Sequence, residues 1–245
     1  MDSAPPTGPG TERGLIWLRE EPCSRNPAHS RARIATAALA LADSEGFEAV
    51  SMRRVAQELG AGTMTLYHYV DNKDELVALM MDSVMGEMLV PEDELSGNWR
   101  EAMEQIAKRS YAAFANHRWT LDRLGDMRPG PNGMRHFEQS LRAMSGAGLS
   151  VRAQLEAIVQ VDEYIYGFAI REAQERDKHE QGRDACRREF FQRELGSGNF
   201  PLIGEMLGAD ADAAFDRVAD VLHEEGRFER GLGRLLDGIS AQLRS

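Results

Sequence analysis

Residues 51–70 read SMRRVAQELGAGTMTLYHYV, and the spacing within them decides the fold. Ser51 can cap a short helix, because a side-chain oxygen at that position accepts an orphan backbone N–H. The inward residues of that helix are Val55, Ala56 and Leu59, and Gly60 closes it. Gly60 and Gly62 bracket a tight turn, and a second short helix covers residues 63–69. Ala56 is small where two helices cross closely, and Leu59, Leu66 and Val70 supply the apolar contacts that hold the pair. This is the spacing of a helix-turn-helix, whose second helix can enter a major groove of DNA.

In that reading the outward residues of the second helix are Thr63, Met64, Thr65, Tyr67, His68 and Tyr69. Threonine hydroxyls bond phosphates or base edges, and the threonine methyl can meet the methyl of thymine. Tyrosine hydroxyls can donate to phosphate oxygens, and Arg53 and Lys73, flanking the reading face, suit the same partners. A helical hairpin with a glycine turn also occurs as a plain packing unit, so the spacing alone leaves that alternative open.

Outward from this segment nearly everything has helical period. Ile34, Ala37, Ala38 and Leu41 mark a helix that stops at Gly46, and Asn72 with Glu75 forms a capping-box pattern opening a longer one that Pro91 ends. Asn98 and Glu101 open another, carrying Trp99, Met103, Ile106 and Phe114. After the Pro129-Gly130-Pro131 break, Met134, Phe137, Leu141 and Met144 mark the next. Ser150 caps a long helix to about residue 174, apolar on most sides and therefore expected to be buried against several neighbours. Residues 175–198 are charge-dense and read as a loop with one helical piece at Phe190, Phe191 and Leu195. Two more helices follow, one through Phe215, Val218 and Leu222 and one through Phe228, Leu232, Leu236 and Ile239. No alternating β-branched run is long enough for a strand. The chain is all-α: an N-terminal three-helix head (25–73) and a C-terminal helical bundle (74–245), preceded by a Pro- and Gly-rich flexible tail (1–24) with one apolar island at Leu15–Leu18.

The 245 residues suffice for a sizeable core, and no run approaches the ~18 apolar residues of a membrane span. The two cysteines, Cys23 and Cys186, match no metal spacing and suggest no disulfide framework, which reads as a reducing, cytoplasmic setting. The net charge of -11 is unevenly spread. Residues 24–73 hold six Lys and Arg against five Asp and Glu, whereas residues 74–245 hold 21 against 31. A near-neutral head on an acidic body can still meet phosphates, since salt limits charge effects to about 10 Å. Paired Glu-x-x-His motifs, HExxH and G-x-S-x-G are all missing, so an enzyme is not expected.

The stretch ALADSEGFEAVSMRRVAQELGAGTMTLYHYVDNKDELVALMMD closely resembles the DNA-binding head of the TetR family of bacterial repressors. The matching elements are Gly46-Phe47, Arg54-Val55-Ala56, Leu59-Gly60, Thr65-Leu66-Tyr67, Tyr69-Val70 and Asn72-Lys73 with Leu76. LSVRAQLEAIVQVDEYIYGF and FERGLGRLLDGI resemble, more weakly, the C-terminal domain of the tetracycline-repressor branch. The resemblance implies a homodimer that reads a palindromic operator on double-stranded DNA and leaves it when a small effector binds the body. It assigns DNA contacts to Arg53, Thr63, Met64, Thr65, Tyr67, His68, Tyr69 and Lys73, with Tyr67 and Lys73 as phosphate anchors. An effector-independent DNA-binding regulator or activator is the alternative.

Tetracycline repressors use a histidine of the body as a magnesium ligand; alignment of LDRLGDMRPGP places Arg123 there, so neither that metal nor any cofactor is expected. Pocket candidates, on helices that enclose the cavity in such repressors, are Trp99, Met103, Phe114, Trp119, Met127, Met134, Phe137 and Tyr164. They would suit a hydrophobic or aromatic effector, although for any one of them core packing is the favoured reading. Asp162 and Glu163 interrupt the long apolar helix, where they bind an effector's polar group or face solvent or a partner's arginine. His117 beside Arg118 reads as surface. The helices at 150–174 and 228–243 can pair with their symmetry mates as a four-helix bundle.

Overall fold

The computed structural model describes residues 15–22, 30–126, 130–180, 184–208 and 210–242. They are helical, with no strand among them, and form two compact units: the described parts of residues 1–86 with 122–135, and those of 87–121 with 136–245. Among the described residues no helix is long and apolar enough to cross a membrane.

In the first unit Ser30 accepts the N–H of Arg33 and opens α1 (Arg31–Glu45), which stops at Gly46. There φ is +87°, a value that L side chains rarely adopt. Ser51 accepts the N–H of Arg54 and opens α2 (Met52–Glu58), as the sequence predicts. After the turn comes α3 (Thr63–Tyr67), and then α4 (Lys73–Glu87), which ends before reaching Pro91. Asn72 Oδ1 accepts the Glu75 N–H at 2.9 Å, while Glu75 Oε2 accepts from the Asp71 N–H at 2.8 Å, one residue earlier than the usual capping box. A five-residue helix has no independent stability. What holds α3 is tertiary packing: Leu66 is 1% exposed and sits in a core with Ile34, Ala38, Val55, Ala56 and Val70.

The apolar island near the N-terminus is ordered on this unit. Ile16, in a 3-10 turn at Ile16–Leu18, is 2% exposed. Arg31 donates to the carbonyls of Ile16 and Arg19 at 3.2 and 2.8 Å, and Arg19 Nη2 pairs with Glu75 Oε2 at 2.6 Å. Residues 1–14, 23 and 24 of the expected tail lie outside the described residues.

The chain continues through α5 (Trp99–Asn116), a 3-10 segment at Arg118–Asp126, α6 (Pro131–Ser145), α7 (Val151–Glu180), α8 (Asp184–Gly196), α9 (Pro201–Leu207), α10 (Ala211–His223) and α11 (Arg227–Gln242). In the second unit α5, α7 and α11 pack on one another, and α8, α9 and α10 form a second group. Here the structure extends the single helical piece expected at Phe190, Phe191 and Leu195 within 175–198, among the described residues. The long helix runs on to Glu180, and α8 supplies a full helix of its own. Glutamate and arginine are good helix formers, so charge density is compatible with the helix of α8.

Candidate nucleic-acid interface and pocket

The head presents α3 on a turn that begins with a left-handed glycine. Gly60 has φ of +62°, and Gly62 accepts the Thr65 N–H to start the helix. On this frame Met64 is 75% exposed and Tyr67 43%, His68 is exposed, and Thr63 and Thr65 are half-buried at the helix edge. Arg53 and Lys73 are exposed. Arg54 is tied to Glu45 at 2.6 Å and to Glu58 at 3.8 Å, whereas Arg53 forms no ion pair among the described residues. The surface therefore joins hydroxyl, aromatic and cationic groups as phosphate and base-edge contacts require.

Tyr69 is the exception and must be withdrawn from the outward set. It is 5% exposed. The helix ends at Tyr67, and both Tyr69 and Val70 turn their N–H groups onto the carbonyl of Leu66, which rotates the Tyr69 ring into the core. Its own carbonyl accepts from Arg31 Nε at 3.2 Å. Helical spacing points the same way, since Tyr69 lies three residues after the buried Leu66 and i, i+3 positions share a helix face.

Beside the head, Lys73 Nζ lies 4.9 Å from the centroid of the Phe47 ring. Arg123 approaches the same ring, with Cζ 4.5 Å from the centroid, and reaches Glu48 at 3.9 Å.

The pocket candidates do not assemble as expected. Met103 and Phe114 are 1% exposed and Trp119 9%, all core. The void touching Phe114 measures about 20 Å³, too small for an effector. Trp99 is half-buried, and Tyr164, also half-buried, donates its hydroxyl to the Phe228 carbonyl at 2.9 Å. Met134 and Phe137 are 59% and 42% exposed, so they line no enclosed cavity among the described residues. The reason lies in α6, whose inward stripe is His136, Ser140, Ala143 and Met144. Met127 lies outside the described residues.

His117, expected at the surface, is 8% exposed, with Nε2 2.9 Å from Glu87 Oε2. Burial pushes the His136 ring down to about 4, and its Nε2 is 3.1 Å from Ser110 Oγ. Asp162 is half-buried without a hydrogen bond or ion pair among the described residues, and burial pushes its carboxyl up to about 6. Glu163 is exposed.

A pocket of about 550 Å³ opens elsewhere in the second unit, between α5, α7 and the turn joining α10 to α11. Its apolar wall is a cluster of three rings. Tyr111 stacks on Phe228 at 4.4 Å between centroids, and Phe168 meets Tyr111 edge-on at 5.5 Å and Phe228 at 5.2 Å. Tyr111 donates its hydroxyl to Glu172, and burial followed by that bond raises the phenol above its ordinary range. In the sequence Phe168 falls within the long apolar helix expected to about residue 174 and Phe228 marks the last helix, while Tyr111 carries no signal of its own. Carboxylates spaced one turn from the aromatics, as Glu172 is from Phe168, were the available clue.

The family described as "Bacterial regulatory proteins, tetR family" matches residues 34–80, and "Tetracyclin repressor-like, C-terminal domain" matches residues 90–243. Among similar proteins is the HTH-type transcriptional repressor DrrR1 of Streptomyces coeruleorubidus, 34% identical over 235 residues, covering 92% of this chain and 83% of that one. The class E tetracycline repressor protein of Escherichia coli is 26% identical, over 84% of this chain and 88% of that protein. Among solved structures, ActR of Streptomyces coelicolor in complex with actinorhodin superposes with a TM-score of 0.66 at 29% identity, covering 89% of this chain and 99% of that one.

Proposed function

Since the chain belongs to the TetR family of bacterial transcriptional regulators, we propose that it is a ligand-responsive repressor that binds a palindromic operator as a homodimer and leaves it when a small effector binds. Residues 25–73 read the DNA and residues 74–245 hold the effector and the dimer contact. The observation that carries the reading is the surface of α3 and its C-cap, on which Met64, Tyr67 and His68 are exposed, as are Arg53 and Lys73. Thr63, Met64, Thr65 and His68 set the sequence preference, while Tyr67, Lys73 and Arg53 hold phosphates.

A homodimer is supported by α7. Val151, Leu155 and Val159, four residues apart, are 71%, 38% and 52% exposed and form an apolar stripe along one side of the helix. Such a stripe, together with α11, suits pairing with a second copy as a four-helix bundle. Two copies then present two recognition helices, and operator binding requires them about 34–36 Å apart. An effector that binds better to a wrongly spaced conformation shifts the population off DNA, and a near-complete shift takes about 5.5 kcal/mol of preference. ActR, a protein of this fold bound to actinorhodin, supports a small-molecule effector for the body here.

The test is binding of labelled DNA from immediately upstream of the chain's own gene, across a salt series. Tight binding that falls steeply with salt and is lost in Tyr67→Phe with Lys73→Ala supports the reading. Failure to select any preferred site from a random DNA pool would overturn it.

A further inference from the structure

The aromatic pocket of the second unit has a charge that its shape alone does not explain. Five carboxylates line it, from Glu172, Glu175, Glu224, Glu225 and Glu229, against the arginines Arg176 and Arg227. Arg176 lies 3.8 Å from Glu172, Arg187 reaches Glu175 at 3.1 Å, and Arg230 reaches Glu224 at 2.7 Å. That leaves Glu225 and Glu229, both exposed, at the turn and first residues of α11. The remaining cation, Arg227, does not pair with a carboxylate among the described residues. Its Cζ lies 4.3 Å from the centroid of the Phe168 ring.

An aromatic face offers its negative quadrupole to a cation, and desolvation strengthens the attraction. The pocket thus already holds one cation on its ring cluster, supplied by the chain itself. A volume of about 550 Å³ is within the range of small-molecule sites. We propose that this pocket is the effector site and that its effector is an aromatic molecule carrying an ammonium group, whose ring packs on the half-buried Tyr111 and Phe168 and whose charge faces Glu225 and Glu229. The assignment rests on the ligand-responsive reading above. It narrows the hydrophobic or aromatic effector of that reading to a cationic one.

Two fluorescent probes of the same ring system separate the contributions: dansylcadaverine, which carries a primary ammonium, and dansylamide, which is neutral. Each is titrated against the full chain without DNA. Dansylcadaverine is expected to bind once per chain, and Glu225→Gln with Glu229→Gln to weaken it about tenfold while leaving dansylamide unchanged. Arg227→Met is expected to tighten the cationic probe more than the neutral one, because it frees the Phe168 face and removes a like charge. Equal binding of both probes, or a cationic probe indifferent to the two glutamates, would overturn the proposal.

Release of labelled operator is then followed as a separate readout. Release by dansylcadaverine that the double glutamine variant loses supports site and effector class together. If dansylcadaverine binds through Glu225 and Glu229 but never releases DNA, the pocket is not the effector site and the proposal falls, with the repressor reading still to be judged by DNA binding. If a neutral molecule releases DNA and the glutamine variant makes no difference, the repressor reading stands and this proposal falls.

Discussion

Arg123 lies over Phe47, its guanidinium carbon 4.5 Å from the ring centroid. Arg123 is therefore engaged with the segment between α1 and α2, where it also reaches Glu48 at 3.9 Å. Lys73, an expected phosphate anchor, lies 4.9 Å from the same centroid. One ring thus steadies two cations, only one of which is a candidate for DNA.

Phe47→Leu should weaken operator binding about two- to fivefold, as expected when one exposed cation–π contact of about 0.5–1 kcal/mol no longer positions Lys73. The salt dependence should not change, because the lysine charge remains. Fluorescence anisotropy at several salt concentrations measures both; unaltered affinity would mean that the ring does not position Lys73.

Tyr67 and Tyr69 should separate cleanly. Tyr67→Phe deletes an exposed hydroxyl and should cost operator binding about 1 kcal/mol. Tyr69→Phe alters a side chain only 5% exposed and should leave DNA affinity intact. Lys73→Ala should lower the salt slope by about one unit. A Tyr69→Phe protein that lost DNA while keeping its fold would reinstate Tyr69 as a contact.

Two groups shifted by burial, the half-buried Asp162 and the buried His136, should impose opposite pH slopes on stability. The Asp162 carboxyl is raised to about 6, so the folded state binds its proton more tightly than the unfolded chain. Stability from this group is greatest below about pH 4 and is lost as pH rises to about 6. The His136 ring is lowered to about 4, so stability from it is full above about pH 6.5 and is lost as pH falls to about 4. Over that shared window the two offset each other. Asp162→Asn should stabilise the protein at pH 7 by about 1–2 kcal/mol and uncover the histidine slope. Urea unfolding at several pH values checks this, and a variant no more stable than the parent at pH 7 would contradict it.

Val151→Glu with Val159→Glu places two charges in the exposed stripe of α7. Sedimentation should then show a monomer, and affinity for a full operator should fall to that for a half-site. A stable dimer in this variant would remove α7 from the interface.

Gly231 lies inside α11, where alanine would normally be preferred by about 1 kcal/mol. A Cβ there would collide with the hydroxyl of Tyr164. Gly231→Ala should therefore destabilise by about 1–3 kcal/mol, and adding Tyr164→Leu should recover part of the loss. Chemical denaturation of both variants decides it.

Local chemistry made the head legible. Ser51, Gly46, Gly60 and Asn72 act through the nearest turn of backbone, so their caps and stops can be read without knowing what surrounds them. Helical period likewise located most helices of the body. Its failures came where a residue's neighbours in space decide its fate. The side of α6 that is buried carries His136 and Ser140 while Met134 and Phe137 remain exposed, because packing selects a whole helix face and not each residue by its own hydropathy.

By itself the sequence determined the all-helical class, the glycine-bracketed turn, and the surface chemistry of α3, all set by spacings of a few residues. Tertiary structure alone decided that Arg123 and Lys73 share Phe47, and that Tyr111, Phe168 and Phe228 meet beside uncommitted carboxylates. These relationships join residues 26 to 117 positions apart. Helical period records which face of a helix is apolar, but it holds no information about which distant helix that face will meet.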